Sequence, residues 1–291
     1  MKYSINIPNF GFQNPQEIAK LAREAEDSGW DGFFIWDHVA LMEDFNTSFL
    51  DPWVALSAIA IETKRIKIGT MITPIPRRRP WKLARETTSL DHLSNGRLIL
   101  GVGLGTPEYD FTTFGEDFNV KTRAKKLDEG LEILQGLWSG KPFSYEGDFF
   151  QIKEVRFSPT PFNDTIPIWV AGTWPYKKPF HRAALYDGVF PISVNWPKSL
   201  TPNDLRQIID IIQQKRTHSK HFDVVIAGNT PGDRMKGDLI VKPYKDAGAT
   251  WWCENINLLR FSNSLSQLLE RIRQGPPKST QKNGSISQLK I

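Results

Sequence analysis

The chain has 291 residues, with 37 lysines and arginines against 32 acidic residues, a net charge of +5, and one cysteine, Cys253. Mild, mostly dispersed charge is not the signature of a nucleic-acid binder, and a lone cysteine excludes an internal disulfide and any multi-cysteine metal centre, so neither a metal site nor a nucleic-acid partner is expected. No apolar run is long enough to cross a bilayer and the first residues carry no apolar leader core, so the expectation is a soluble, reduced, cytoplasmic protein without a membrane partner.

In chain order, residues 3–8 read as a first strand. Asn14-Pro15-Gln16-Glu17 is a helix start, with Asn as N-cap, Pro at the first helical position and Glu at the third. Ile18, Leu21, Ala22 and Ala25 share a helical face, and Gly29 stops the helix. Residues 32–36 form a second strand that ends at Asp37-His38. An apolar helix over 53–61 and a third strand over 65–71 lead to a loop holding the one dense basic patch, Arg77-Arg78-Arg79. A helix over 81–93 closes at the turn residues Ser94-Asn95-Gly96. The stretch from Arg97 then runs Leu98-Ile99-Leu100-Gly101-Val102-Gly103-Leu104-Gly105. Its apolar half is a buried parallel strand, and its glycines leave backbone open where a flat or charged ligand could approach.

Residues 105–120 form a polar, aromatic loop. A helix over 122–139 places Leu127, Leu131, Leu134 and Trp138 on one face, and 144–157, turning at Glu146-Gly147-Asp148, reads as an appended β-hairpin. A fifth strand over 166–171 ends at Gly172-Thr173, a short helix covers 179–186, and a sixth strand covers 188–192. Thr201-Pro202-Asn203-Asp204 repeats the capping logic before a face of Leu205, Ile208, Ile209 and Ile212. A strand over 223–228, a helix over 238–247 interrupted by Pro243, a strand over 250–254 and a helix over 264–273 complete the pattern. Residues 276–291 are a polar tail, expected to be disordered.

Eight strands with helices between most of them define an α/β chain: a (β/α)8 TIM barrel in one domain, residues 1–275, with an inserted hairpin region. An open doubly wound sheet is the alternative. In a barrel the site lies at the C-terminal strand ends. That groups His38, Thr70, residues 103–106, 172–174 and 228–230, and Glu254 around one mouth.

The chemistry of these positions can be read one by one. An imidazole at His38 can exchange a proton near neutral pH; the plainer reading is that Asp37-His38 caps a strand end by hydrogen bonding. His92, His181, His218 and His221 read as structural or solvated. Gly172-Thr173-Trp174 before a helix offers N–H donors and a hydroxyl to a phosphate, or is an ordinary glycine turn. The arginine patch meets an acidic ligand, or is solvated or paired with nearby carboxylates.

Several motifs, in this order and spacing, resemble the bacterial-luciferase-like family of flavin- or deazaflavin-dependent oxidoreductases. They are Gly29-Trp30-Asp31-Gly32-Phe33-Phe34-Ile35-Trp36-Asp37-His38, Ile68-Gly69-Thr70, the stretch from Leu90 through Gly103, residues 123–138, Ile168-Trp169-Val170-Ala171-Gly172 and Asp187-Gly188-Val189-Phe190-Pro191. The resemblance implies a TIM barrel with an insertion and a flavin in its mouth. It places His38 in the active site and Asp37 beside the cofactor. It also implies a backbone bulge at Thr70 and Met71, sometimes with a non-proline cis peptide, backing the flavin ring. Gly103, Leu104, Gly105 and Thr106 would lie beside the cofactor, and Gly172, Thr173 and Trp174 at its phosphate. Some deazaflavin-dependent members carry an acid just after the glycine run as a proton donor. Here that position is Thr106, with Glu108 two residues on, a departure that weakens a sugar-phosphate dehydrogenase reading.

The leading expectation is a monooxygenase that uses reduced FMN and O2 on a small organic molecule, with a separate flavin reductase as a partner. The alternatives are an F420-dependent hydride-transfer enzyme and a non-catalytic flavin-binding barrel. The resemblance also implies a homodimer.

Overall fold

The computed structural model describes residues 1–217, 219–257, 260–261 and 264–277; His218 and most of the polar tail, 278–291, lie outside them. Ten strands and nine helices are formed by the described residues. The barrel strands are β1 (Lys2–Ile7), β2 (Gly32–Ile35), β3 (Lys67–Pro74), β4 (Leu98–Gly103), β7 (Ile168–Trp174), β8 (Gly188–Ser193), β9 (Asp223–Gly228) and β10 (Trp251–Asn255). They close in the order β1-β10-β9-β8-β7-β4-β3-β2, every pair parallel. This is the TIM barrel expected from the pattern, and not an open sheet. β5 (Phe143–Glu146) and β6 (Gln151–Val155) form the appended antiparallel hairpin.

The helices are α1 (Pro15–Asp27), α2 (Pro52–Glu62), α3 (Pro80–Leu93), α4 (Tyr109–Thr112), α5 (Val120–Trp138), α6 (Lys178–Ala183), α7 (Pro202–Gln213), α8 (Arg234–Asp246) and α9 (Leu265–Arg273). Their starts follow the sequence chemistry. The Asn14 side chain accepts from the Glu17 N–H, and Thr201 and Asp204 form a reciprocal capping box. α8 begins earlier than expected, because Asp233 caps the N–H groups of both Met235 and Lys236, and it runs through Pro243. That proline lies in the last turn, where it removes one backbone bond without dividing the helix.

Two apolar layers make the core. One lies between barrel and helices and includes Ile5, Ile7, Phe33, Ile35, Leu98, Leu100, Val170 and Trp252. The other fills the barrel: Phe34, Met71, Ile99, Trp169, Phe190, Val225, Trp251 and Cys253. Strand alternation explains the split, since neighbours along a strand face opposite sides. At the barrel centre Trp169 meets Phe34 at 5.1 Å and Trp251 at 5.2 Å between ring centroids. These three rings plug the barrel. Ile72, Ala171, Ile192 and Ala227 pack on this interior cluster and are only partly buried. They form an apolar floor beneath the mouth.

The glycines of β4 serve the barrel itself. A Cβ on Gly101 would lie 2.2 Å from the Thr70 carbonyl oxygen, and one on Gly103 2.2 Å from Ile72 Cδ1. The room they leave is filled by β3, whose register with β4 shifts between Thr70 and Thr73. The Met71–Ile72 peptide in this bulge is cis.

Candidate active site

His38 follows β2 and is held by its backbone. Buried Asn9 donates to the His38 carbonyl at 2.8 Å and accepts the His38 N–H at 3.1 Å, while also donating to the Leu50 carbonyl. The imidazole packs edge-on against Trp36, 5.7 Å between centroids. Its Nδ1 lies 3.0 Å from Asp110 Oδ2, and Nε2 hydrogen-bonds to no other described residue. His38 keeps 15% of its side chain exposed and Asp110 1%.

Asp110 sits on the single-turn helix α4. Its Oδ1 accepts the N–H groups of Val39 and Ala40, each at 2.9 Å, and Arg77 pairs with Oδ2. Burial opposes its charge, but the bonds from His38 and Ala40, the Arg77 guanidinium and the Val39 N–H hold its carboxyl below the usual range. An ionised Asp110 can only accept, so Nδ1 carries a proton and donates. A neutral His38 therefore keeps its lone pair on Nε2, the unbonded nitrogen.

The helix carrying Asp110 is tied down by a second arginine. Arg123 donates to the carbonyls of Leu104 at 3.1 Å and Gly105 at 2.7 Å, and stacks 3.7 Å from the Phe118 ring centroid. Gly105 takes φ +84°, and a Cβ there would strike Phe111 and Pro74. The turn from β4 into α4 is thus fixed on both sides.

The arginine patch is mostly spent on carboxylates. Asp37 is fully buried; Arg78 reaches its two oxygens at 2.7 and 2.8 Å, and Arg77 reaches Oδ1 at 3.1 Å. Burial works against the Arg78 charge, yet the adjacent Asp37 outweighs it and holds the guanidinium above its ordinary value. Arg79 alone lies free of these acids, over the Trp81 ring. Ion pairing, and not an acidic ligand, accounts for Arg77 and Arg78.

The remaining expected positions fall as follows. Thr70 is buried and hydrogen-bonded to the Gly101 carbonyl and the Thr73 hydroxyl, in the wall between β3 and β4. Met71 belongs to the interior plug. Gly103 abuts Ile72 and Ala171. Leu104 is half-buried, Gly105 turns the chain and Thr106 is exposed, followed by a cis bond to Pro107. Gly172, Thr173 and Trp174 do not form a glycine turn: β7 continues through them, paired with Pro191, Ile192 and Ser193 of β8. β4 follows β7 only as far as Val170, so the two strands part at the mouth. Gly172 is small because Pro179 and Phe180 of α6 press on it. Trp174 donates to Asp204 at 3.2 Å.

Glu254 differs from expectation. It faces the same side of β10 as Trp252, away from the interior residues Trp251 and Cys253, and is fully buried. It accepts from Thr230, Trp252 and Arg260, with Arg271 at 3.6 Å. This is a network in the barrel wall. Cys253 is also out of play, since burial pushes its thiol up to about 12. Sequence reasoning missed Asp110 and Asn9. The available signal for Asp110 was an acid set between aromatic residues in the loop after the glycine strand.

A closed parallel barrel with an acid–histidine pair beside strand ends at its mouth is the architecture of a barrel enzyme. The chain belongs to the luciferase-like monooxygenase family, whose profile matches residues 1–230. It is similar to F420-dependent glucose-6-phosphate dehydrogenases. That of Amycolatopsis mediterranei is 28% identical over 177 residues, 60% of this chain and 51% of the relative. That of Nakamurella multipartita is 26% identical over 259 residues, 84% of this chain and 74% of the relative. The chain thus spans about half the length of the first of these relatives and about three-quarters of the second.

Among solved structures, an F420-dependent secondary alcohol dehydrogenase in complex with an F420-acetone adduct superposes with TM-score 0.73, at 18% identity, covering 94% of this chain and 99% of that one. The oxygenating constituent of 3,6-diketocamphane monooxygenase from Pseudomonas putida, in complex with FMN, gives TM-score 0.61 at 20% identity, covering 84% and 73%. These two share the fold. By family the chain is a luciferase-like oxidoreductase. Among the described residues, no helix is long and apolar enough to cross a membrane.

Proposed function

We propose that the protein is an F420-dependent oxidoreductase that moves a hydride to or from a small organic molecule, with His38 as its proton-transfer group. The observation that carries the catalytic part is the His38–Asp110 pair, which leaves Nε2 as the one unbonded ring nitrogen. The F420 part is supported by the two F420-dependent glucose-6-phosphate dehydrogenases to which the chain is similar. Their sugar-phosphate substrate is not carried over, because Thr106 stands where a proton-donating acid is expected.

On this reading a flat tricyclic ring sits at the barrel mouth. Ile72, Ala171, Ile192 and Ala227 give a partly open apolar floor, backed by the filled interior. Met71 and Thr70 support that floor through the β3 bulge, and Gly103 borders it beside Ile72 and Ala171. Thr173, at the parted edge of β7, is the candidate for the cofactor phosphate. A bound deazaflavin supplies a hydride donor or acceptor that O2 does not intercept. His38 Nε2 takes the proton from a substrate hydroxyl, or gives one to a carbonyl oxygen, as hydride leaves or reaches the adjacent carbon. Asp110 keeps the ring turned for that exchange and stabilises its cationic form.

The FMN monooxygenase reading stays in competition, supported by the family description and by the FMN-bound structural neighbour. On that reading a separate flavin reductase supplies reduced FMN. Fluorescence titration with F420 and with FMN, followed by O2 uptake with reduced FMN against reduction of F420, separates the two. Tight F420 binding with alcohol-dependent reduction supports the proposal, whereas FMN-only binding with O2 uptake replaces it.

Failure to bind either cofactor would leave a barrel without this chemistry. We also propose a homodimer through α2. This helix is apolar on every side, yet Val54 and Ile61 remain more than half exposed, and light scattering tests it.

A further inference from the structure

Three side chains on adjacent strands form a directed hydrogen-bond chain along one wall of the mouth. Trp36, just past β2, donates Nε1–H to Asn6 Oδ1 at 2.9 Å. Asn6 on β1 donates Nδ2–H to Asn255 Oδ1 at 3.0 Å, across to β10. All three face inward. Trp36 continues the alternation of Phe34, and Asn255 that of Trp251 and Cys253, whereas Ile5 and Ile7 flank Asn6 on the outer layer.

The chemistry fixes the direction of the chain. An indole nitrogen only donates, so Asn6 must turn its oxygen to Trp36 and its amide nitrogen to Asn255. Asn255 must then turn its own oxygen back to Asn6. Neither carboxamide can flip without setting donor against donor or acceptor against acceptor. The Asn255 NH2 is left as the free end, with no hydrogen bond to any described residue, and the side chain is only half-buried. Trp36 also carries His38 on its ring at 5.7 Å. The unbonded histidine nitrogen and the oriented amide donor therefore belong to one wall, beside an apolar floor.

We propose that Asn255 is a specificity-determining residue that hydrogen-bonds the oxygen of the substrate, and that Trp36 and Asn6 are positioning residues holding its NH2 outward. The substrate class that follows is a small, largely apolar molecule with one acceptor oxygen, a ketone or the alcohol derived from it. This rests on the oxidoreductase reading above. A donor aimed at that oxygen favours the carbonyl and its developing negative charge over an ammonium of the same shape.

The test uses cyclohexanone and cyclohexylammonium, rings of similar size with opposite polarity. In the full-length protein, the Asn255 side-chain NH2 resonances are identified by their loss in Asn255→Leu. Cyclohexanone is expected to shift them. Its affinity should fall roughly tenfold in Asn255→Leu. In Asn255→Asp, which keeps the bond from Asn6 but replaces the donor with an acceptor, the preference should reverse towards cyclohexylammonium.

No ketone-induced shift in the wild type, or unchanged ketone affinity in Asn255→Leu, overturns the proposal. So does a tenfold loss of FMN or F420 affinity in Asn255→Leu with ketone binding intact, which assigns the donor to the cofactor instead. Failure of the Asp variant to fold leaves the resonance shift and the Leu variant to decide. The ketone measurements are made with and without the cofactor that binds, so a protein that binds neither FMN nor F420 refutes the cofactor reading alone.

Discussion

Asp110→Asn separates the role of the histidine from that of its orienting acid. In the wild type, Asp110 accepts from His38, Val39 and Ala40 and pairs with Arg77. The asparagine oxygen can keep the two backbone N–H groups, both of which bind Oδ1. Its NH2 then replaces Oδ2 and faces His38 Nδ1 and Arg77. To accept from that NH2, the imidazole must put its lone pair on Nδ1 and its proton on Nε2, the reverse of the working tautomer. An aspartate-to-asparagine change with this tautomer consequence lowers turnover by about 10⁴-fold in another Asp–His enzyme, so about 10²–10⁴-fold is expected here.

Breaking a buried ion pair costs about 3–5 kcal/mol when the remaining charge has no other partner. Arg77 keeps the Asp37 carboxylate and carbonyl, so the stability loss should fall below that range. The assay is single-turnover oxidation or reduction of whichever cofactor binds, with thermal melting to confirm folding and ¹⁵N imidazole shifts to report the tautomer. A folded Asp110→Asn protein with the wild-type rate and a switched tautomer would refute the reasoning, because the tautomer would then be irrelevant to turnover.

Three further outcomes are expected. His38→Ala should lower single-turnover rates by about 10²–10⁴-fold with cofactor affinity nearly intact, and His38→Gln should match Ala if the role is proton transfer; a wild-type rate in folded His38→Ala removes the residue from the mechanism. Thr173→Glu should weaken FMN or F420 binding by a few kcal/mol in fluorescence titration, and unchanged binding moves the phosphate away from β7. Burial opposes the charge of Glu26, but the backbone N–H groups of Ile66, Arg65 and Lys64 hold its carboxyl below the ordinary 4.5. Its stabilisation is therefore complete above about pH 4.5 and is lost as pH falls through the lowered folded value, so Glu26→Gln should cost about 1–3 kcal/mol at neutral pH in urea unfolding and flatten the acid limb; an unchanged limb rejects this account.

The barrel was legible because its signals are local. Caps at Asn14 and Thr201, glycine stops and apolar runs each depend on neighbouring residues, and the structure repeats them with shifts of a few residues. The largest strand shifts are at β3 and β7, each running three residues beyond its expected end; at β7 glycine suggested an end but pairing to β8 continues through Trp174. The orientation of Glu254 was not legible. In Trp251-Trp252-Cys253-Glu254 both faces of the strand are apolar before the acid, so alternation cannot say which side is the interior.

The destination of Arg77 and Arg78 and the pairing of His38 with Asp110 were hidden for another reason. These partners lie far apart in sequence, and a loop carries no periodicity from which to place them. His38 itself could be singled out because a strand end fixed its address. The Asn6–Asn255 contact joins the two ends of the chain and becomes visible only once β1 and β10 close the barrel.

Among the described residues, the aromatic plug of Phe34, Trp169 and Trp251 makes the barrel a vessel with one door. Anything that comes to rest on the floor of Ile72, Ala171, Ile192 and Ala227 must arrive and leave through the same opening as the molecule lying above it. Traffic in such a vessel is last in, first out. The deeper ligand cannot depart while the shallower one is in place, so steady-state kinetics should be ordered, with product inhibition patterns set by position in the stack and not by relative affinity.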